Sequence, residues 1–332
     1  MSPTAADPAP AIRYFRINRH RRLAWAASGA ACLLSLLGLL LSWLNPSIGL
    51  PLKPGLDFTG GTRIQLERAC GDGCPPLTAP QVEEQLAQLK LPDEAGVAAP
   101  LLERAPLQVL DGGRSIDLRM PTLSADQSTA LVNQLNSRIG PFLPGDTSVE
   151  TIGPTLGAQL LRSSLVSLLV SFAAIAFYIS FRYDRLFASL AILCLAHDVL
   201  ITAGLFAWLG LLRGVEVDSL FAVSLITVAG YSINDTVVVF DRIREQKTVL
   251  GHLPIDEQVD AAVDVTFTRS MYTSLTTLMP LLGMIFFGGS SLFWFAVALT
   301  TGISVGSWSS IGVAPTLLSL LSAPRQVSTA SP

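Results

Sequence analysis

The sequence predicts a polytopic α-helical membrane protein with six transmembrane helices and an α+β, ferredoxin-like extracytoplasmic domain between the first and the second helix. Three observations predict this fold class. Only 14% of the 332 residues are charged, whereas a soluble domain carries about 25%. The apolar residues form long uncharged blocks, and a block of about 18 or more indicates a membrane span. One polar stretch of about 100 residues is long enough to fold as a domain.

The first apolar block, residues 23–44, predicts a permanent span. It is 22 residues long, whereas the apolar core of a cleaved signal peptide has about 7–15 residues, and no A-x-A cleavage site follows it. A cluster of arginines precedes the block: Arg13, Arg16, Arg19, Arg21 and Arg22. Because basic residues favour the cytoplasmic side of a span, residues 1–22 are predicted to be a cytoplasmic N-terminal segment.

The polar stretch, residues 45–154, predicts the extracytoplasmic domain. Its hydrophobic periodicity alternates between the strand and the helix repeat. Strands are predicted at 60–67, 97–110, 114–120 and 148–152, and helices at 80–90 and 124–139. The resulting order β-α-β-β-α-β is that of the split ferredoxin-like motif, in which two helices cover one face of a sheet.

Five further apolar blocks complete the six spans within residues 155–321. They are residues 163–181, 186–212, 219–240, 270–287 and 292–321. The last block is longer than one crossing requires, and its Gly302, Gly306, Gly312 and Pro315 predict a bend or an end in water. Six spans return the chain to the cytoplasm, so the loop 241–268 and the tail 322–332 are predicted to be cytoplasmic. The basic residues of the intervening loops agree with this orientation.

One carboxylate lies inside the fourth span. Asp235 is six residues before Asp241, which places it about 9 Å inside the cytoplasmic end of that helix. Ser224, Thr227, Tyr231 and Asp235 follow one another at spacings of 3, 4 and 4. This spacing predicts one polar stripe on an apolar helix, facing protein or water. A charge at the centre of a span costs about 2.5–3.5 kcal/mol, so such residues indicate function.

The fifth span carries a second polar stripe that begins with a cation. Its members are Arg269, Thr273, Thr276, Thr277 and Pro280. Arg269 and Asp235 are therefore predicted at similar depth. Two interpretations stay open: a structural ion pair that fixes two helices, and a proton relay in which the carboxylate titrates. Tyr231, Asn234 and Thr273 are candidate supporting residues for a relay.

His197 and Asp198 form an ionisable pair midway along the third span. One interpretation is a hydrogen-bonded pair packed inside the bundle. The other is a second element of a proton relay, because ionisable groups inside a membrane are functional by default.

Other kinds of chemistry find little support in the sequence. The GLDFTGGT segment lacks the Lys and Ser/Thr of a phosphate-binding loop, and no catalytic triad or metal-ligand cluster emerges, so we expect neither an enzyme nor a cofactor nor a metal site. A net charge of −3 gives no basic patch for nucleic acid. Cys70 and Cys74 lie in the predicted extracytoplasmic domain, where a disulfide can form.

Four motifs in order resemble the SecD/SecF family. GLDFTGGT, with Gly55, Asp57, Phe58, Gly60 and Gly61, resembles the entry segment after the family's first span. LAHDVLITAGLF in the third span, GYSINDTVVVFDRIRE from Gly230 to Glu245 and TRSMYTSLTTLMPL in the fifth span are also similar. The resemblance covers nearly all of residues 13–321; only the Cys-bearing insert at residues 69–76 departs from it.

The resemblance implies a function in protein export at the bacterial inner membrane. It implies a half-transporter related to the resistance-nodulation-division exporters, with SecD as the other half, the SecYEG channel as a partner and YajC and YidC as further candidates. Unfolded exported polypeptide and protons are the implied ligands, and Asp235 and Arg269 match the family's proton-coupling residues. A small-molecule exporter of the same superfamily and a structural scaffold of the translocon remain the alternatives.

Overall fold

The computed structural model describes residues 16–69, 75–93, 102, 107–110 and 113–322. It divides the chain into two compact units. One consists of Met1–Lys53 and Leu165–Pro332, and the other of Pro54–Ser164. Cys70 and Cys74, for which the sequence suggested a disulfide, lie outside the described residues.

The second unit is a ferredoxin-like α+β domain, as predicted. Its elements are α2 (Leu56–Thr59), β1 (Gly61–Glu67), α3 (Ala79–Ala87), β2 (Leu107–Leu110), β3 (Ser115–Met120), α4 (Ala125–Ile139) and β4 (Ser148–Ile152). The four strands form an antiparallel sheet in the order β2-β3-β1-β4. The predicted strand at 97–110 is observed only as Leu107–Leu110, because residues 97–101 and 103–106 are outside the described part.

Alternating side chains of the sheet build the core of this domain. Ile64 and Leu66 on β1 and Ile116 and Leu118 on β3 are at most 1% exposed and pack against the apolar stripe of α4. Ser124 begins α4 with a capping box: its hydroxyl accepts from the Gln127 amide at 3.2 Å, and its own amide donates to the Gln127 side chain at 3.2 Å. The cap explains why the helix begins where the apolar periodicity predicted it.

The two glycines before β1 are required by space and by backbone conformation. Gly60 and Gly61 have φ of +71° and +122°, a region that L side chains rarely adopt. A Cβ on Gly61 would lie 2.7 Å from the Met120 carbonyl oxygen, and one on Gly60 would lie 3.1 Å from the Ile152 carbonyl oxygen. These residues therefore let β1 enter between its two neighbouring strands.

The first unit holds long apolar helices, and the described residues contain six that are long and apolar enough to span a membrane. This confirms the predicted number of spans. The helices are α1 (Arg21–Leu44), α5 (Pro154–Arg182, which continues from the second unit), α6 (Arg185–Arg213), α7 (Ser219–Val249), α8 (Ile255–Phe287), α9 (Gly289–Trp308) and α10 (Ala314–Ser322). Helices α9 and α10 are joined by a π-helical segment, Ser309–Val313, here called the π segment. Together these three form the last span.

The helices extend beyond the predicted apolar blocks at several ends. Helix α7 continues to Val249 and α8 begins at Ile255, so most of the predicted loop 241–268 is helical. The polar ends of both helices carry helix-forming charged residues, which apolar patterning alone does not detect.

The glycines of the last span allow close helix packing. A Cβ on Gly302 would lie 2.2 Å from Val228 Cγ2, and a Cβ on Gly306 would lie 3.3 Å from Ser232 Cβ. Helices α9 and α7 therefore approach each other along these small residues, as is common in membranes. The last span is interrupted by the π segment, which contains Gly312, one of the residues from which a bend was predicted.

Gly302→Ala should destabilise the bundle by about 1–3 kcal/mol, the usual cost of overpacking a core. The added methyl group would have to displace Val228, which is fully buried. Thermal unfolding of the purified protein in detergent measures the effect. Gly283→Ala on α8 is the matched control, since a Cβ there meets nothing within 4 Å. Equal melting temperatures for the two variants would contradict the close-packing explanation.

A polar network joins the turn before α1, residues 17–20, and the first turns of α1 to α8 and α10. The backbone amide and the side-chain amide of Asn18 both donate to Asp260 Oδ1, at 3.1 and 2.9 Å. Ser319 donates to Asn18 Oδ1 at 2.7 Å, and Trp25 Nε1 donates to Thr316 Oγ1 at 2.9 Å. These contacts fix the ends of three helices to one another.

Candidate functional site

The carboxylate of Asp235 lies inside the helical bundle on α7 and is only 4% exposed. Ser310, in the π segment, donates to Asp235 Oδ2 at 3.4 Å. The hydroxyls of Ser270 on α8 and Ser307 on α9 lie beside the same carboxylate. Three helical segments thus present hydroxyl groups to one acidic side chain.

A chain of hydroxyl groups runs from this carboxylate along the bundle. Tyr231 donates to Ser274 at 3.4 Å, and Ser274 and Ser307 share a hydrogen bond of 2.5 Å. Because a hydroxyl both donates and accepts, such a chain can reorient when the protonation of a neighbouring carboxylate changes.

A second acidic site lies between α6, α7 and the π segment. Asp198 is fully buried, and its Oδ1 is 2.8 Å from His197 Nδ1. Ser232 and Ser309 donate to its other oxygen, Oδ2, at 2.5 and 2.8 Å. The structure therefore brings the predicted pair His197–Asp198 into a polar cluster that includes α7, the helix that carries Asp235.

Arg269 lies at the surface of the bundle rather than in an ion pair with Asp235. No ion pair within 4.0 Å joins Asp235 and Arg269 in the described part of the chain, although the guanidinium charge acts on the carboxylate through space. The Arg269 side chain is exposed and borders a polar cavity of about 490 Å³ between α7 and α8, here called the α7–α8 groove. The groove is lined by Val238, Asp241, Arg242, Glu245, Val265, Thr266 and Arg269.

Asp241, one of the residues that line the α7–α8 groove, is held by a buried tyrosine between α5 and α6. Tyr183 donates to Asp241 Oδ1 at 3.0 Å. Burial raises the pKa of Tyr183 to about 12, and the hydrogen bond to Asp241 contributes to the shift. The tyrosine is therefore neutral at physiological pH and acts as a hydrogen-bond donor that holds Asp241 at the groove.

The polar stripe predicted on α8 does not face Asp235. Thr276 and Asn234 are exposed and Thr273 is half-buried, and the Thr273 hydroxyl donates to the Arg269 carbonyl at 2.9 Å. The buried hydroxyls on this helix are instead those of Ser270 and Ser274. The structure thus brings Tyr231 into the hydroxyl chain but leaves Asn234 and Thr273 outside it.

The GLDFTGGT segment has a structural explanation in the ferredoxin-like domain. Gly55 precedes the short helix α2, which contains Asp57 and Phe58, and Gly60 and Gly61 lead into β1. Among the described residues, no group of three or more His, Cys, Asp or Glu side chains could hold a metal ion.

Comparison with protein families places the site in a known context. The family model described as "Protein export membrane protein SecD/SecF, C-terminal" matches residues 134–323, and that of the "SecD/SecF GG Motif" matches residues 47–70. The GG motif therefore contains Gly60 and Gly61. Asp198, Asp235 and Arg269 all fall within the first match.

Curated relatives agree over almost the full chain. Protein translocase subunit SecF of Prochlorococcus marinus is 50% identical over 310 residues, which cover 93% of this chain and 96% of the relative. Protein translocase subunit SecF of a Synechocystis species is 41% identical and covers 89% of this chain and 90% of the relative.

A solved structure has the same fold. The crystal structure of SecDF, a translocon-associated membrane protein from Thermus thermophilus, superposes with a TM-score of 0.75 at 31% sequence identity. The match covers 95% of this chain and 40% of that longer one. A family model matches more than half of the chain, and a relative of nearly the same length is 50% identical to it. The chain therefore belongs to the SecD/SecF family of protein-export membrane proteins.

Proposed function

We propose that the chain is a proton-coupled subunit of the protein-export machinery, acting together with SecD to promote translocation through SecYEG. The observation that carries this proposal is the buried carboxylate of Asp235, which accepts a hydrogen bond from Ser310 inside the bundle, while Arg269 is exposed at the α7–α8 groove. The test is export of a precursor protein into membrane vesicles, driven by a proton gradient.

The energy of one proton is sufficient for such a coupling. One elementary charge crossing a potential of 100 mV releases about 2.3 kcal/mol. This is close to the cost of about 2.5–3.5 kcal/mol for one charge at the centre of a span. Protonating Asp235 removes that charge, so a single proton can shift the balance between two arrangements of the helices.

The residues around Asp235 suggest how protonation is transmitted. An ionised carboxylate only accepts hydrogen bonds, whereas a protonated one also donates. On protonation, Ser310 and the hydroxyl chain of Tyr231, Ser274 and Ser307 would reorient. Arg269 borders the groove, where its charge acts on the entering or leaving proton. The proposal assigns the chain no covalent chemistry and therefore no enzymatic activity.

A polar face on α7 and α8 supports a partner within the membrane. Thr227, Asn234, Arg269 and Thr276 are exposed on this unit. Polar and charged side chains within spans usually face protein or a water-filled cavity rather than lipid. We assign SecD to this face, because relatives of this chain carry the name SecDF.

Co-purification of SecD, SecYEG, YajC and YidC with the tagged full chain tests these partners. Recovery of the chain without SecD would contradict the assignment.

The proposed location is the bacterial inner membrane with both termini in the cytoplasm. The arginines before and at the start of α1, including Arg16, Arg19 and Arg22, support this orientation by the positive-inside rule. The ferredoxin-like domain would then lie outside, where it can meet the emerging unfolded polypeptide.

A reporter fusion tests the orientation. An enzyme that is active only outside the cytoplasm should be active when fused after Pro141, between α4 and β4, and inactive when fused after Gly251, between α7 and α8. Each fusion protein is quantified by immunoblot as a control for expression. The reverse pattern of activity would invert every span and contradict the proposed orientation.

A further inference from the structure

Asp198 of the pair His197–Asp198 is a fully buried ionisable side chain of the bundle, and three neighbouring side chains contact its carboxylate. Asp198 is fully buried and His197 is 9% exposed. Asp198 Oδ2 accepts hydrogen bonds from Ser232 and Ser309, and Oδ1 is 2.8 Å from His197 Nδ1. An acceptor with three such neighbours is suited to the ionised form of the carboxylate.

The charge of that carboxylate has one source of compensation nearby. The described residues place no arginine or lysine within 4.0 Å of Asp198, so the imidazole of His197 is the group that can neutralise it. With His197 doubly protonated, the pair is neutral and holds one exchangeable proton. With His197 neutral, the pair carries a net charge of −1 inside the membrane, which is costly.

The second ring nitrogen of His197 is the place where that proton can be exchanged. His197 Nε2 is buried and has no hydrogen-bond partner among the described residues. A fixed structural histidine normally satisfies both nitrogens. The other titratable groups around Asp198 are the thiols of Cys194 on α6 and Cys32 on α1, while α7 and the π segment present only the hydroxyls of Ser232 and Ser309.

The π segment connects this pair to Asp235. Consecutive serines bind the two acidic side chains: Ser309 donates to Asp198 at 2.8 Å, and Ser310 donates to Asp235 at 3.4 Å. π-helical turns are rare and occur frequently at functional sites. One short segment thus contacts a carboxylate on α6 and another on α7. A movement of the π segment at one carboxylate therefore changes the hydrogen bond to the other.

We propose that His197 and Asp198 form a second proton-binding site, coupled to Asp235 through Ser309 and Ser310 of the π segment. This inference rests on the proposed function, because it extends the proton pathway of the same bundle. In the charged form, the imidazolium Nδ1–H donates a hydrogen bond to Asp198 Oδ1. Release of the Nε2 proton to a water molecule leaves a neutral imidazole that keeps the Nδ1 hydrogen bond.

The test is nitrogen NMR of the full chain, labelled with ¹⁵N-histidine and reconstituted in lipid nanodiscs. The chain has three histidines, so the His197 signals are assigned by their loss in His197→Gln. In the parent we expect His197 to convert between the imidazolium and the neutral form as pH is varied from about 5 to 9. In Asp235→Asn, the ratio of imidazolium to neutral imidazole at fixed pH should fall by about tenfold, the coupling equivalent to one pH unit.

Ser310→Ala tests the route of the coupling, and Ser304→Ala is its matched control, because Ser304 is exposed on α9 and its hydroxyl donates to the Thr300 carbonyl of its own helix. The effect of Asp235→Asn should be lost in the Ser310→Ala background and kept in the Ser304→Ala background. A His197 that stays in one form over the whole pH range overturns the proposal, and so does a titration that Asp235→Asn leaves unchanged. Failure of the proposed function would show separately, as gradient-driven export that survives Asp235→Asn while the NMR coupling is present.

Discussion

Asp235→Asn should abolish the response of protein export to the proton gradient while the complex still assembles. Asparagine keeps the size of the side chain and accepts the Ser310 hydrogen bond, but it cannot bind and release a proton. One proton at 100 mV contributes about 2.3 kcal/mol, which limits the loss to about 50-fold in rate. The measurement is gradient-dependent translocation of a precursor into inverted membrane vesicles that carry the variant.

Asp184→Asn is the matched control for this experiment. Asp184 is exposed, precedes α6 and makes no capping hydrogen bond, so the same chemical change there should leave export at the parental level. Both variants are compared at equal protein amounts. If Asp235→Asn vesicles respond to the gradient like the parent, the chain is a structural scaffold of the translocon and its buried carboxylate has no part in coupling.

Arg269→Ala should reduce gradient-dependent export nearly as strongly as Asp235→Asn. Arg269 borders the α7–α8 groove and its charge acts on Asp235 through space, so without it we expect proton exchange at the carboxylate to lose its coupling to export. Arg269→Lys keeps the charge but loses the planar fork of donors. The lysine variant should therefore retain partial activity at best in the same vesicle assay.

The control for the arginine series is Arg213→Ala, at the far end of α6, where the side chain is exposed. It removes a positive charge of the same kind away from the groove, and export should be unchanged. Parental export in Arg269→Ala vesicles would contradict a role of Arg269 in coupling. Full activity of Arg269→Lys would show that charge alone is required and that the fork geometry is not.

The architecture of this chain was largely predictable because its signals are local. An apolar block longer than a bilayer identifies a span wherever its partners lie, and the alternation of strand and helix periods in residues 45–154 identifies a β-α-β-β-α-β domain. The capping box at Ser124 is likewise a feature of neighbouring residues. None of these inferences depends on which face of a helix meets which neighbour.

The polar faces of the spans were harder to predict. Helix α8 carries two polar pairs with the same spacing of four residues: Arg269 with Thr273, and Ser270 with Ser274. The helical period of the sequence therefore cannot decide which of the two pairs is buried. Threonines can face outward at little cost because their hydroxyls donate to a carbonyl of the preceding turn, as Thr276 does to the Tyr272 carbonyl at 2.9 Å. Which polar side chains of α8 are buried depends on how α7, α8 and α9 pack together.

Sequence analysis also missed the serines of the last span. Ser307, Ser309 and Ser310 contribute to both acidic sites. Their signal was a group of hydroxyl residues within an otherwise apolar block, but the prediction for this block used only its glycines and its proline. Their partners are on α6 and α7, more than 70 residues away, and single-sequence patterns do not report such distant contacts.

The π segment also sets the rotation of everything that follows it. A π-helical turn is equivalent to one residue inserted into an α-helix, so its conversion to regular α-helix would turn α10 by about 100° and advance it by about 1.5 Å. Thr316 and Ser319 would then lose their hydrogen bonds to Trp25 in α1 and to Asn18 in the turn before it. The contacts at the two acidic sites and the contacts of α10 with the N-terminal residues can therefore form together only while the π-helical turn is kept.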